Sequence, residues 1–377
     1  MNPTPPDAWP EAVPPSPDAL QAGLSRLQQA PLAAELIAWQ ARHGRHDLPW
    51  QATRDPYRVW LSELMLQQTQ VKTVLGYYDR FLARFPDVQR LAAASQDEVF
   101  ALWSGLGYYA RARNLHACAQ AVVAQHGGVF PRTAQALCTL PGIGPSTAAA
   151  IASFCFGERV AIFDGNVKRV LARVLGFDED LAASRAAKRL QTLAQAALPP
   201  AAADMPAYTQ AIMDLGATVC TPRKPRCEAC PFQTHCQARL QGTQAELPRL
   251  TRKLKRTAEA WQMLVAQAPD GRVWLERRPS RGVWAGLHAW PLVAEDKPVQ
   301  AAGAVVEPGE VFKHVLTHKD LYLRPVWLRF AKPAAADRWA QQQPDGGQWW
   351  TPEQAAALGL PKPVRDVLEA GVAPRLL

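Results

Sequence analysis

Nothing in this 377-residue chain approaches the unbroken apolar run of roughly eighteen residues that a membrane-spanning helix requires. The first residues are acidic and proline-rich rather than basic and then apolar, so no secretory signal is expected. Cysteine is sparse and odd in number: of seven, four sit at 220–236 and three are scattered. That is not the even set of a disulfide framework, and a reducing, cytoplasmic setting is the expectation. Acidic side chains are outnumbered, 33 against 42 Lys and Arg, for a net charge of +9. The balance favours a polyanionic partner without telling DNA from RNA or an acidic membrane surface. With 48% hydrophobic residues, most of the chain is expected to fold, into two or three domains. Residues 1–30 are the exception. Their repeated prolines and weak apolar pattern read as a disordered tail, with a short helix from Asp18.

What is present centres on Leu140–Val170, LPGIGPSTAAAIASFCFGERVAIFDGNVKRV. Gly142 and Gly144 make a tight turn between two helical patterns, and their backbone N–H groups can face a phosphate. Pro145 suits the first position of the next helix, the run Ala148–Ser153 allows close packing, and Gly157 ends it. Asp164 then follows an apolar stretch, just before Gly165-Asn166, where another helix can start. By itself such a turn also serves as an ordinary helix–helix connection. Together with the acid and the following Lys168-Arg169 it points to an enzyme acting on a polynucleotide.

Further helices are expected at 31–42, from Pro56 behind an Asp55 cap, at 71–85, at 184–198 and at 206–219. Ser95 and Glu98 form a capping box. Glu63 lies among Trp60, Leu61, Leu64 and Leu66, so it is either on the wet face of its helix or at a pocket with a raised pKa; spacing alone favours the wet face. Gly105–Asn114 packs two glycines, two tyrosines and two arginines into ten residues, a turn able to offer aromatic faces and cations to a nucleic acid. The plain alternative is a helix start with half-buried tyrosines. Cys220, Cys227, Cys230 and Cys236 are close enough to bind a metal, and the spacing admits a four-thiolate zinc or an iron–sulfur cluster. With a single C-x2-C knuckle, zinc is mildly disfavoured. The remaining cysteines, Cys118, Cys138 and Cys155, read as core. Beyond 260 the composition changes: eight of the thirteen tryptophans lie there, and short alternations at 261–265, 272–276 and 321–330 read as strands of an α+β domain.

LPGIGPSTA with the later IFDGNVKRV resembles the helix-hairpin-helix DNA glycosylases that carry a Gly/Pro-rich loop and an essential Asp, and most closely the adenine DNA glycosylase branch. LSELMLQQTQV, GLGYYARARN and the cysteine spacing are similar to the same family in the same order. The resemblance implies a mainly α fold of two helical subdomains over 31–247, with a [4Fe-4S] loop at 220–236. It further implies a basic linker at 248–256 and a Nudix-like recognition domain over 257–377. It implies that Glu63 is the catalytic acid, overriding the preference from spacing, and that Gln68 enters the base stack. Leu66 and Thr69 correspond to residues meeting the base opposite the flipped one, and Tyr108 to the residue beside the extruded step. Leu316-Thr317-His318 matches a Phe-Ser-His loop that helps to read 8-oxoguanine; the hydroxyl and imidazole are kept and the aromatic is not. A working Nudix hydrolase needs a glutamate-bearing helix for Mg²⁺, which this segment lacks, so nucleotide hydrolysis is not expected.

The activity implied is removal of adenine mispaired with 8-oxoguanine or guanine in double-stranded DNA, by a monomer. Glu63 would protonate the base, ionised Asp164 would stabilise the sugar cation, and Asn166 would orient Asp164. Bifunctional relatives carry a lysine nucleophile where this chain has Ser146, so no strand cleavage is expected. Lys168 is near enough to Asp164 for a weak side reaction with an abasic aldehyde. The rivals are an endonuclease III-like glycosylase/lyase and a non-catalytic mismatch-binding iron–sulfur protein.

Overall fold

A computed structural model describes residues 17–29, 32–251, 256–343 and 346–371. The expected tail, apart from its helical part, and Arg252, Lys253 and Lys255 of the expected basic linker lie outside the described residues. Among the described residues no helix is long and apolar enough to cross a membrane.

The helices, in chain order, are α1 (Pro17–Gln29), α2 (Leu32–His43), α3 (Pro56–Leu66), α4 (Val71–Arg84), α5 (Val88–Ala93), α6 (Gln96–Trp103) and α7 (Tyr109–His126). They continue with α8 (Ala134–Leu137), α9 (Pro145–Phe156), α10 (Gly165–Leu175), α11 (Ser184–Ala196), α12 (Met205–Thr218) and α13 (Gln237–Gln241). Their ends follow the capping chemistry of the sequence. Asp55 accepts from the amide of Tyr57 at 3.0 Å, Ser95 and Glu98 close a reciprocal box, and Gly157 ends α9 in the left-handed region. α13 occupies part of the stretch that follows the cysteine loop and packs on α10.

The chain divides into two compact units, Met1–Ala92 with Ala117–Arg252, and Ala93–His116 with Lys253–Leu377. In the first, α9 is the central helix. Its Ala148, Ala149, Ala150 and Ala152 are buried and leave room for α3 on one side and α12 on another. Ser153 and Thr209 share a buried hydrogen bond of 2.6 Å between α9 and α12. Large side chains fill the rest of the core, including Trp60, Phe81, Phe85 and Phe232.

Two buried arginines on α10 hold the segment after α12. Arg169 donates to the carbonyls of Gly216 and Cys220, each at 2.8 Å. Arg173, 2% exposed, donates to the carbonyls of Thr221 (2.7 Å), Pro222 (2.9 Å) and Leu247 (3.0 Å). A guanidinium presents five donors in a fixed fork, so one side chain can satisfy several loop carbonyls that have no helix or sheet partner. Arg169 is therefore a structural clasp and not, as its place beside Lys168 suggested, part of a polynucleotide-facing cationic pair.

The second unit is a twisted sheet with helices on both faces. Its centre is the parallel pair β1 (Thr257–Gln267) and β7 (Lys319–Phe330), in register from Thr257 opposite Lys319 to Gln267 opposite Arg329. Antiparallel β2 (Val273–Arg277) extends it on one side and β5 (Ala304–Pro308) on the other, while β6 (Phe312–Val315) forms a hairpin with β7. Period-two alternation splits β1 between two cores. Met263 and Val265 face Leu358, Leu360 and Val364; Leu264 and Ala266 face the side where Ala335, Ala336 and Trp339 pack. The strands expected at 261–265, 272–276 and 321–330 are present and, at β1 and β7, longer.

α6 and the start of α7 belong to this unit. Phe100 approaches Gly359 so closely that a Cβ there would lie 2.5 Å from its own Cβ. Arg277 pairs with Asp97 at 2.5 Å, Arg113 donates to the Ala285 carbonyl at 2.8 Å, and the Tyr109 hydroxyl donates to the Leu360 carbonyl at 2.9 Å.

Replacing Arg173 with Ala leaves the carbonyls of Leu247, Thr221 and Pro222, the first of them buried, without their donor. The expected loss is about 3 kcal/mol of unfolding free energy, read as a lowered urea midpoint. An unchanged midpoint would contradict the clasp.

Candidate active site

The C-terminal turn of α3 and the N-termini of α9 and α10 bound one cavity of the first unit, about 840 Å³ in volume. Glu63, Leu66, Thr69, Ser146, Asp164 and Asn166 all line it. Residues spaced a hundred positions apart in sequence thus share one space.

Asp164 is the N-cap of α10. Its Oδ1 accepts from the amide of Val167 at 2.8 Å, which fixes the carboxylate at the positive end of the helix. Glu63 lies one turn before the end of α3, half-buried. Burial, and then the negative charge of Asp164, push its pKa up to about 7. Among the described residues no donor reaches the Glu63 carboxyl to offset this. The cavity therefore holds two acids in different settings: one caps a helix through a backbone amide, and the other is disposed to keep its proton.

Asn166 lines the same cavity, and its Oδ1 accepts from Arg169 at 2.8 Å. Its oxygen is thereby turned toward the buried guanidinium, and any action on Asp164 falls to its amide nitrogen. Gln67 donates to Thr147 at 3.3 Å, tying the end of α3 to α9. Gln68 follows in a left-handed conformation, φ 57°, and is exposed. A non-glycine residue in that region carries about 1–2 kcal/mol of strain, a frequent mark of ligand-binding turns. Gly142, at φ 73°, and Gly144 form an exposed turn with open space beside Gly144. Lys168 lies outside the cavity lining; its ammonium sits 4.7 Å from the centre of the Phe163 ring.

The other wall was not anticipated from the sequence. Arg45, His46, Gln210 and Met213 line it. Arg45 binds fully buried Asp214 through its backbone amide at 3.0 Å and its guanidinium at 2.6–2.8 Å, and Gln210 donates to the same carboxylate at 2.9 Å. The available signal was an aspartate inside the apolar run Ala211–Leu215, which needs a buried cation.

The four cysteines of the 220–236 loop line a separate, small apolar cavity with Val170, Leu215 and Phe232. The Cys220 sulfur faces Arg173 at 3.4 Å, and the Cys236 thiol faces the Arg173 carbonyl at 3.4 Å. Four thiols around one dry space, braced by a guanidinium, fit an iron–sulfur cluster, whose anionic sulfurs gain from such a donor. Of the three cysteines expected in the core, Cys118 is buried, and Cys138 and Cys155 are half-buried.

In the second unit, Tyr108 also has a left-handed backbone, φ 50°, and is 45% exposed. Thr317 and His318 are exposed in the β6–β7 turn, and the Thr317 hydroxyl donates to the Tyr108 hydroxyl at 3.1 Å.

Comparison with known proteins assigns each of these parts. Residues 61–213 match the HhH-GPD superfamily of base excision DNA repair proteins, 220–236 the iron–sulfur binding domain of endonuclease III, and 262–370 the NUDIX domain. The adenine DNA glycosylase of Buchnera aphidicola subsp. Baizongia pistaciae is 32% identical over 342 residues, covering 88% of this chain and 94% of that protein. The human adenine DNA glycosylase is 45% identical over 221 residues, 56% of this chain and 40% of that protein. Among solved structures, a thermostable thymine-DNA glycosylase superposes with a TM-score of 0.52 at 28% identity, over 58% of this chain and 99% of that one.

If the Asp164 charge helps to hold the Glu63 proton, Asp164→Asn lowers the Glu63 pKa while leaving it above that of an ordinary glutamate, because burial is the larger cause. Carboxyl carbon-13 NMR titration of both proteins reads this. A titration unmoved by the substitution would show that the two acids do not sense one another.

Proposed function

The chain belongs to the adenine DNA glycosylases, and from that premise we propose which of its residues release the base and from which mispair. Its reaction is hydrolysis of the N-glycosidic bond of adenine in DNA base excision repair. Adenine within a duplex is out of reach of any side chain and must be turned out of the stack, at a cost of a few kcal/mol.

Glu63 protonates a ring nitrogen of the extruded adenine, which turns the base into a neutral leaving group. The C–N bond then opens toward an oxocarbenium-like sugar. Asp164, an anion held by the Val167 amide, faces that charge. Water adds to the sugar carbon, and Glu63, now ionised, accepts its proton. The observation that carries this reading is the shared cavity, in which Asp164 is itself one cause of the raised Glu63 pKa. Asn166 takes part as an orienting group through its first-turn position on α10.

Ser146 stands at the cavity edge where a lyase would need an amine. A hydroxyl forms no iminium, so strand cleavage is absent from this scheme. Lys168, stacked on Phe163, is not directed into the cavity, which supports the monofunctional reading. Gln68, with its exposed left-handed backbone, enters the stack; the turn at Gly142 and Gly144 grips the backbone phosphates. Leu66 and Thr69 meet the opposing base. Thr317 and His318 present a hydroxyl and an imidazole from a rigid turn, and on these rests the proposed preference for adenine opposite 8-oxoguanine or guanine. The enzyme acts as a monomer in this scheme.

The loop at 220–236 carries a [4Fe-4S] cluster, with Cys220, Cys227, Cys230 and Cys236 as its thiolates. Cys220, just after α12, and Cys236, just before α13, would hold it from both ends of the loop, with the Arg173 guanidinium beside Cys220 to offset thiolate charge.

Glu63→Gln is expected to bind a mispaired duplex as the unaltered protein does and to lower single-turnover adenine release by on the order of 10²–10⁴-fold. Normal release would remove Glu63 from its role. An acid must be protonated to act, so release should fall as pH rises past about 7, where Glu63 loses its proton. A rate still climbing above pH 8 would speak for a different acid. Comparing adenine opposite 8-oxoguanine, guanine and thymine tests the proposed mispair preference.

A further inference from the structure

Tyr108 is in a conformation that a tyrosine does not adopt unaided, and the second unit supplies what holds it there. Its φ of 50° follows Gly105 at 97° and Gly107 at 69°, so three of the four residues leading into α7 have left-handed backbone. Arg111, one helical turn on and 8% exposed, lies inside this turn. Its guanidinium carbon is 5.2 Å from the centre of the Tyr108 ring and 5.3 Å from that of Trp103. Its Nη2 donates to the carbonyls of Leu106 at 3.1 Å and Gly107 at 3.3 Å. Trp103 also donates to Gly107, at 3.0 Å. The cation therefore stabilises both the backbone of the turn and the placement of the ring.

The far end of the same ring is held from the sheet. The Thr317 hydroxyl donates to the Tyr108 hydroxyl at 3.1 Å, and Thr317 is itself fixed. Its carbonyl accepts from Arg256 at 3.0 Å, its turn is closed by the Leu316 amide on the Lys319 carbonyl at 2.8 Å, and the His318 carbonyl accepts from the Thr257 amide at 3.2 Å. Tyr109, the neighbouring tyrosine, is taken out of play by its bond to Leu360. A half-exposed ring with a buried cation at its root and a rigid hydroxyl at its tip is set before any duplex arrives.

We propose that Arg111 is a positioning residue that, together with the Thr317 hydroxyl, preforms Tyr108 as the ring that holds the duplex open beside the extruded step, so that the turn facing the base opposite adenine and this ring are one element. This rests on the reading of Tyr108 as the residue beside the extruded step. The arrangement acts on opening the duplex and leaves the acid–base chemistry at Glu63 and Asp164 untouched. It lets a contact made at Thr317 bear directly on the tyrosine beside the extruded step.

The test is single-turnover adenine release by the full-length protein from two duplexes. One carries the mispair in a fully paired context; the other has further mismatches on both sides, so that the stack is already loosened. Arg111→Met is expected to slow release from the paired duplex by roughly tenfold, the size of one lost charge-assisted hydrogen bond, and release from the loosened duplex by less than about twofold. Tyr108→Phe, which keeps the ring and removes the exposed hydroxyl, is expected to show the same selectivity to a smaller degree, and it guards against a folding defect in the arginine variant. Equal losses on both duplexes for both variants, or no loss on the paired one, would overturn the proposal. Tyr108→Ala separates this from the parent reading. If that variant slows the paired duplex while Arg111→Met and Tyr108→Phe do not, the place of Tyr108 beside the extruded step stands and its preformation falls. If Tyr108→Ala has no effect, Tyr108 does not act at that step and both readings fall.

Discussion

Two carboxyl groups facing one cavity cannot both ionise there cheaply, and the rest of the first unit is arranged around how that conflict is resolved. The negative charge of one raises the cost of ionising the other, and for Glu63 this adds to the larger cost of burial. The fold makes Asp164 the cap of a helix, where the Val167 amide donates to it. It gives the proton to Glu63 by placing it on the buried last turn of α3 with no donor among the described residues. The difference between the two acids is thus one of backbone geometry more than of residue type. Local helix ends set a chemical polarity that neither carboxyl has by itself.

α10 links that polarity to the cysteine loop. Its first residue follows Asp164, its first turn carries Asn166, and its inner face carries Arg169 and Arg173, which hold the carbonyls from Gly216 to Pro222. A disturbance of the iron–sulfur loop therefore reaches Asp164 through α10. The [4Fe-4S] cluster needs no part in the chemistry to matter for it. The same logic of a buried guanidinium organising irregular backbone recurs in the second unit at Arg111, where the object held is a tyrosine.

Much of this was legible in the residues. Asp55, the Ser95–Glu98 box, Pro145, Gly157 and Asp164 mark helix ends through local chemistry, and local chemistry survives folding unchanged. The cysteine spacing narrowed the metal to two kinds before any relative was considered. The period-two runs located the central strands of the sheet. What was not legible depends on burial, which a pattern of residue types does not encode. Glu63 looked like a wet-face residue because its neighbours at helical spacing are large and apolar, and only the cavity makes it half-buried. Arg169 followed Lys168 as part of the cationic signal, although it is buried on α10 and holds the Gly216 and Cys220 carbonyls while Lys168 lies over the Phe163 ring. The Arg45–Asp214 pair joins residues 169 positions apart, and no local rule predicts such a pair. Nor does hydropathy show that 93–116 packs with strands that begin more than a hundred residues later, because the contacts responsible are single close approaches such as Phe100 against Gly359.

The central claim is that one acid in the cavity carries a proton at neutral pH and the other does not. Neutron diffraction from deuterated protein, bound at about pH 6.5 to a duplex with an uncleavable adenine nucleotide, would locate that proton directly. The account requires a deuteron on a Glu63 carboxyl oxygen and none on Asp164. A deuteron on Asp164 with Glu63 bare, or two bare carboxylates, would contradict it.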